Sequence, residues 1–116
     1  MKIVEINSIN YGSTGGIMLA IAKTARISGH EVYTFSYCGN DMRKGIQHHN
    51  FIGNRLSRRL SKKCSFLTGL SGCFSFFATK RMLSKITKIQ PDIIHLHNLH
   101  SEYINIPLLF SYIKKN

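Results

Sequence analysis

Acidic side chains are scarce in this chain of 116 residues, which has five Asp and Glu against 16 Lys and Arg and a formal net charge of +11. The five acids are scattered along the sequence, so hydrolysis by a pair of carboxylates has no candidate pair. The excess of positive charge predicts attraction to phosphate groups, in nucleic acid, in an anionic membrane surface or in a phosphorylated ligand. Composition does not choose among these three.

Paired cysteines and long apolar runs are also missing. Cys38, Cys64 and Cys73 are an odd number without paired spacing, which indicates neither a disulfide framework nor a thiolate zinc site. The uncharged stretch at residues 64–79 is interrupted by glycines and serines. It is too short and too polar to cross a bilayer, because a bilayer span takes ~20 predominantly apolar residues. The amino terminus has no apolar signal-peptide core. We therefore expect a cytoplasmic protein.

The remaining composition is that of a globular protein, with 43% apolar and 18% charged residues. A chain of this length forms a single domain, residues 1–116. Strand patterns at residues 2–6, 31–36 and 92–97, with a short edge strand near 49–52, alternate with helical patterns. The sequence predicts an α/β fold, a Rossmann-like three-layer sandwich with a mostly parallel sheet, in which residues 92–97 pair beside residues 2–6.

The sequence PDIIHLHN at residues 91–98 is the most informative segment. It predicts a buried parallel strand with Ile93, His95 and His97 on one side and Ile94, Leu96 and Asn98 on the other, so that both sides become polar where the strand ends. Ligands of open α/β sheets bind outside the carboxyl ends of the strands. We therefore expect His97 to be functional and His95 to be a packed core histidine.

A second candidate is the loop of small polar residues at 7–16, which contains Gly12, Gly15 and Gly16. Backbone amides at a helix start, free of side chains, form a binding position for a phosphate or a sugar hydroxyl. The glycine spacing matches neither the dinucleotide fingerprint nor a phosphate-binding P-loop. The alternative interpretation is a tight turn without a ligand.

Two further groups of residues allow more than one interpretation. His95, His97 and His100 could form a metal cluster, but with so few carboxylates and no thiolate pair we predict no metal, and we interpret His48 and His49 as loop residues. The predicted helix at residues 55–67 has a basic face that is either a solvated surface or a surface for membranes or phosphates. That face consists of Arg55, Arg58, Arg59, Lys62 and Lys63.

Several of these segments together resemble the amino-terminal domain of family 4 glycosyltransferases of the GT-B fold. The resemblance is found in IVEIN at residues 3–7, YGSTG at 11–15, SGHEV at 28–32 and PDIIHLHN at 91–98, and continues through Asn105 and Leu109. The chain is most similar to the bacterial group that acts in capsule, exopolysaccharide or O-antigen assembly.

The resemblance implies retaining transfer of a sugar from a nucleotide-sugar, without a metal or another cofactor. It places Gly15 and Gly16 beside the donor phosphates and His97 near the transferred sugar as the catalytic residue, with Asn98 as a further substrate-binding residue. Relatives often have a basic residue at the position of Gly16, so the pattern departs from the family there.

In the family, a carboxy-terminal domain holds most of the nucleotide-sugar, and this chain ends before such a domain begins. We therefore expect a truncated amino-terminal half that is inactive alone and faces a saccharide or lipid-linked saccharide acceptor. Contact with the inner face of the membrane would use the basic helix. The alternative is a small basic binding module for an anionic membrane or for RNA, with nucleic acid the less expected partner.

Overall fold

The computed structural model describes residues 1–37 and 45–116, a range that excludes Cys38. These residues form four strands and four helices. The strands are β1 (Lys2–Ile6), β2 (Glu31–Tyr37), β3 (His49–Ile52) and β4 (Ile93–Leu96), and the helices are α1 (Gly12–Ile27), α2 (Arg55–Thr68), α3 (Phe76–Ile89) and α4 (Ile106–Lys115).

The four strands form one parallel sheet in the order β3-β2-β1-β4. Ile3 of β1 pairs with Val32 of β2 on one side and with Ile93 of β4 on the other. The Rossmann-like α/β class is confirmed, as are the pairing of β4 beside β1 and the short strand β3 at an edge.

One face of the sheet packs on α3 and α4 and forms the apolar core. Because alternate residues of a strand point to opposite faces, each strand contributes every second side chain to this core. Its fully or nearly fully buried members are Val4, Ile6, Phe35, Ile52, Met82, Leu83, Ile86, Tyr103, Ile104 and Leu109.

The opposite face of the sheet is polar and lies against α1. Glu5, Thr34 and Ser36 point to this side, and each is at most 1% exposed. Helix α1 packs on this face against β2, and its buried residues include Met18 and Ala22. The sheet is therefore the middle layer of three.

Strand β4 differs from its prediction as a buried strand. It is parallel, but among the described residues it lies at the edge of the sheet, and Ile93 is 44% exposed. The alternation of its side chains is confirmed, because Ile94 and Leu96 pack against the apolar core. Its other face is partly open, since the side chain of His95 is also 44% exposed.

The first loop is shorter than the glycine pattern predicts. Helix α1 begins at Gly12, with Tyr11 as its N-cap residue, so Gly15 and Gly16 belong to the helix.

At the other end of the chain, Asn105 caps α4 as predicted, because its side-chain oxygen accepts the N–H of Leu108 at 2.9 Å. Among the described residues, no helix combines the length and hydropathy needed to cross a membrane.

Candidate functional site

The candidate site lies on the polar face of the sheet, where Glu5 of β1 stands opposite His95 of β4 in the strand register. The Glu5 side chain is 1% exposed and contacts two imidazoles. Its Oε2 atom forms a short contact with Nε2 of His97 and lies 3.1 Å from Nδ1 of His95. The two imidazole ring centroids are 4.1 Å apart, and the ring planes are tilted by 35°.

The prediction that His95 is a packed core histidine is wrong. The side chain of His95 is 44% exposed, whereas that of His97 is only 10% exposed. His95 is open because β4 lies at the edge of the sheet in the part of the chain that the structure describes. The two histidines therefore share one carboxylate instead of having separate structural and functional surroundings.

Sequence reasoning missed Glu5, which we had treated as one of five scattered acids. The signal was present, since pairing β1 beside β4 brings a residue of β1 next to the histidines. The sequence did not give the register between β1 and β4. A shift of one residue between these strands would have placed Glu5 on the apolar face, away from the histidines.

The contacts of Glu5 determine which ring nitrogens of His95 and His97 are engaged in hydrogen bonds. An ionised carboxylate only accepts hydrogen bonds, so Nε2 of His97 and Nδ1 of His95 donate to it. A buried carboxylate without such partners would be strongly destabilising. This arrangement leaves Nδ1 of His97 and Nε2 of His95 available to other groups.

A pocket of about 410 Å³ joins the end of β4 to the start of α1. It is lined by Thr14, Ile17, His97, Asn98, Leu99 and His100. Larger pockets elsewhere on the surface are lined by other residues and none of them includes these histidines. We favour this smaller pocket because two of the sequence-predicted site residues, His97 and Asn98, meet there.

The two predicted glycines have different surroundings. A Cβ atom on Gly15 would lie 2.7 Å from the backbone carbonyl carbon of Asn10, so Gly15 allows α1 to pack against the preceding loop. A Cβ atom on Gly16 would meet nothing within 4 Å. In a helix the amides without an intrahelical partner are those of the first turn, which here are residues 12–14. Anion binding at this helix would therefore use those amides.

Asn98 organises the loop after β4. Its N–H donates to Oδ1 of Asn7 at 3.3 Å, and its carbonyl accepts the hydroxyl of Tyr103 at 2.8 Å. Asn7 is fully buried at the end of β1, and its Nδ2 has no hydrogen-bond partner among the described residues. His100 turns to Ser101, with Nδ1 at 3.0 Å from the hydroxyl oxygen, and does not join His95 and His97.

His49 is the first residue of β3, in agreement with the short edge strand predicted near residues 49–52 and not with its interpretation as a loop residue. Its Nδ1 lies 2.7 Å from the hydroxyl of Thr34, and its Nε2 lies 3.0 Å from that of Ser36 and 3.2 Å from Nδ2 of Asn10. Burial lowers the pKa of His49 to about 4. His49 is therefore a neutral part of the polar layer beneath α1.

The basic face of α2 is exposed except for Arg58. The Arg58 guanidinium lies 3.9 Å from the ring centroid of Tyr37, and its Nε donates to the carbonyl of Ser101 at 3.1 Å. Ser61 is the buried residue of this helix and bonds to Ser75. Its apolar side chains are exposed together with those that follow it. They are Leu56, Leu60, Phe66, Leu67, Leu70, Phe76 and Phe77.

Comparison of the chain with models of known protein families, with curated proteins and with solved structures finds no match.

Proposed function

We propose that this chain is the amino-terminal, acceptor-side domain of a retaining sugar transferase that uses a nucleotide-sugar in the assembly of a surface polysaccharide. The observation that supports the proposal most directly is the pocket shared by the start of α1 and the end of β4. It brings His97 and Asn98 within one pocket with Thr14 of the first helical turn. The parallel α/β fold and the sequence resemblance are in keeping with it.

His97 is the residue on which the proposed chemistry depends. Its imidazole is anchored by the buried carboxylate of Glu5, as an orienting acid fixes a catalytic histidine in other enzymes. With Nε2 donating to Glu5, Nδ1 is the ring nitrogen that can hydrogen-bond a sugar hydroxyl. The amides of residues 12–14, which have no acceptor within the helix, and the positive end of the α1 dipole are suited to a donor phosphate.

The donor is held mainly by a second Rossmann-like domain, and transfer takes place when the two domains enclose it. The contacts from this domain and those from the second domain must be in place together, since sugar transfer depends on preorganised groups around the phosphates and the sugar. The acceptor is a saccharide or a lipid-linked saccharide at the inner face of the membrane.

The test of this proposal joins the chain to the carboxy-terminal domain of a family 4 glycosyltransferase and measures sugar transfer. His97→Ala would leave Glu5 with one imidazole, so His97→Gln, whose amide can still donate to Glu5, is the sharper variant. We expect the rate of transfer to fall by about 100-fold or more, with an almost unchanged melting temperature.

The matched control is His30→Gln, which changes a histidine that lies before β2 and outside the pocket. It should keep full activity. Full activity in His97→Gln as well would mean that His97 has no role in transfer and that the strand motif is structural.

The chain alone should bind nucleotide-sugars only weakly, because it offers a helix start and one histidine but no further set of phosphate ligands in the pocket. Calorimetric titration with uridine and guanosine diphosphate sugars should show affinities weaker than micromolar. Micromolar binding to any of them would contradict the assignment of the donor to a second domain.

A second proposed function is contact with an anionic membrane surface through α2 and the phenylalanines after it. Phe66, Leu67 and Phe77 are each more than 80% exposed, and Arg55, Arg59, Lys62 and Lys63 are exposed beside them. An amphipathic helix of this composition lies in the interface, where each basic residue contributes about 1 kcal/mol. Arg58 is outside this surface because it packs on Tyr37.

Flotation with anionic and neutral vesicles tests this contact. The chain should float with anionic vesicles at low salt, and the variant Arg59→Glu, Lys62→Glu, Lys63→Glu should not. The matched control reverses three other exposed lysines, Lys23, Lys114 and Lys115, and should still float. Equal flotation with both vesicle types, or binding only to RNA with a steep salt dependence, would contradict a membrane surface.

A further inference from the structure

The three side chains at the centre of the polar face have a property that the proposed transfer reaction does not use. Glu5, His95 and His97 each direct one potential metal-ligating atom to the same point, and these atoms all lie within 4.8 Å of one another. Two imidazoles and a carboxylate are a common ligand set for divalent transition metals, zinc in particular.

The separation between His95 and Glu5 is close to that between two ligands of a bound metal. Ligands at zinc distances of 2.0–2.2 Å in a tetrahedron are ~3.4 Å apart. Nδ1 of His95 lies 3.1 Å from Oε2 and 3.4 Å from Oε1 of Glu5. His97 is closer to the carboxylate and would move outward to admit an ion. All three residues stand on two paired strands or directly after one, so the geometry is held by the sheet.

Burial and access also favour an ion at this position. The Glu5 carboxylate is almost fully buried, and among residues 1–37 and 45–116 its charged partners are these two imidazoles alone. A divalent cation would supply positive charge there whatever the protonation of the histidines. Since the side chain of His95 is 44% exposed, solvent and a dissolved ion reach the cluster from the side of His95.

We propose that Glu5, His95 and His97 bind a divalent transition-metal ion of the zinc type, with a water molecule in the remaining position. This inference does not rest on the proposed function and departs from the metal-free reaction that the resemblance implies. Because the metal and Glu5 would compete for Nε2 of His97, binding would release that histidine from its present contact.

The test is titration of the untagged, chelator-treated chain with Zn²⁺ by calorimetry and with Co²⁺ by visible absorption. We expect one equivalent to bind, and Co²⁺ to give the intense bands of four-coordinate nitrogen and oxygen ligation. His95→Ala should weaken binding by more than about 100-fold, since even loss of an outer-shell partner costs 10-fold to 100-fold. The exposure of His95 allows this variant to fold, which circular dichroism verifies.

Two control variants separate this site from adventitious binding. His100→Ala and the double variant Cys64→Ser, Cys73→Ser alter other potential ligands and should leave the affinity unchanged. A readout without any substitution is the side-chain ¹⁵N spectrum, in which Zn²⁺ should shift Nδ1 of His95 and Nε2 of His97 but not the ring nitrogens of His30. Absence of a saturable equivalent, or undiminished binding in His95→Ala, would overturn the proposal.

Discussion

The two faces of the sheet are built from the same four strands but differ in chemistry. One face presents Val4, Ile6, Phe35 and Ile52 to α3 and α4 and is almost entirely apolar. The other presents polar side chains, and α1 covers only part of it. These are Glu5, Thr34, Ser36, His49, His95 and His97.

This difference indicates that stability and binding depend on opposite faces of the sheet. Burial of apolar area is the main source of stability, whereas buried polar groups contribute little net free energy when they are satisfied. We therefore expect the apolar face to determine whether the chain folds and the polar face to determine what it binds.

The largest effect is expected on the apolar face. Phe35 is 1% exposed on the central strand β2, and Phe35→Ala should lower the free energy of unfolding by about 3–5 kcal/mol. Phe77, which is 84% exposed, is the matched control, and Phe77→Ala should change stability by less than about 0.5 kcal/mol. Urea unfolding measures both. Similar losses in the two variants would contradict the placement of the core.

A smaller effect is expected at the centre of the polar face. Glu5→Gln keeps the shape of the side chain but leaves one imidazole donor without an acceptor, so we expect a loss of about 1–3 kcal/mol. The same substitution at the exposed Glu31, which accepts the hydroxyl of Tyr33, should be nearly neutral. If Glu5→Gln destabilised the chain as much as Phe35→Ala, the division between the two faces would be wrong.

Substitutions at Gly15 and Gly16 test how α1 packs against the loop that precedes it. Gly15→Ala would place a methyl group against the backbone of Asn10 and should destabilise the chain by about 1–3 kcal/mol. Gly16→Ala enters open space within a helix and should stabilise it by about 0.5–1 kcal/mol. Thermal unfolding of the two variants measures the difference. Equal effects would indicate that Gly15 does not contact the loop.

The smallest effect should appear only in acid. His49 has a pKa of 6.5 when exposed and of about 4 in the folded chain, so between these values the unfolded chain binds more protons. This contribution to stability is complete above about pH 6.5 and is lost as the pH falls towards 4. The melting temperature of the wild type should therefore fall more steeply over this range than that of His49→Gln. Parallel curves would mean that His49 is not buried as a neutral ring.

Much of the fold could be predicted because each strand has a local signature. The alternation in PDIIHLHN gives β4 and its two faces, and the position of Asn105 gives the start of α4. These signals depend on near neighbours in sequence, as do the helix at residues 55–68 and the end of α3 before Pro91.

The site was harder to predict because it depends on contacts between distant residues. Glu5 and His97 are 92 positions apart, and only the strand register brings them together. Likewise, His95 was expected in the core because its strand is apolar, but its burial depends on whether a helix lies over it. Arg58 belongs to a basic run in sequence, yet it turns inward because Tyr37 is within reach.

The ring tautomers of His95 and His97 test most directly whether Glu5 holds both histidines. A side-chain ¹H–¹⁵N spectrum at a pH where the rings are neutral reports which nitrogen of each ring bears hydrogen. We expect His95 to be protonated at Nδ1 and His97 at Nε2, with both assignments lost in Glu5→Gln and kept in Glu31→Gln. Protonation of His95 at Nε2 in the wild type, unaffected by Glu5→Gln, would contradict this account of the site.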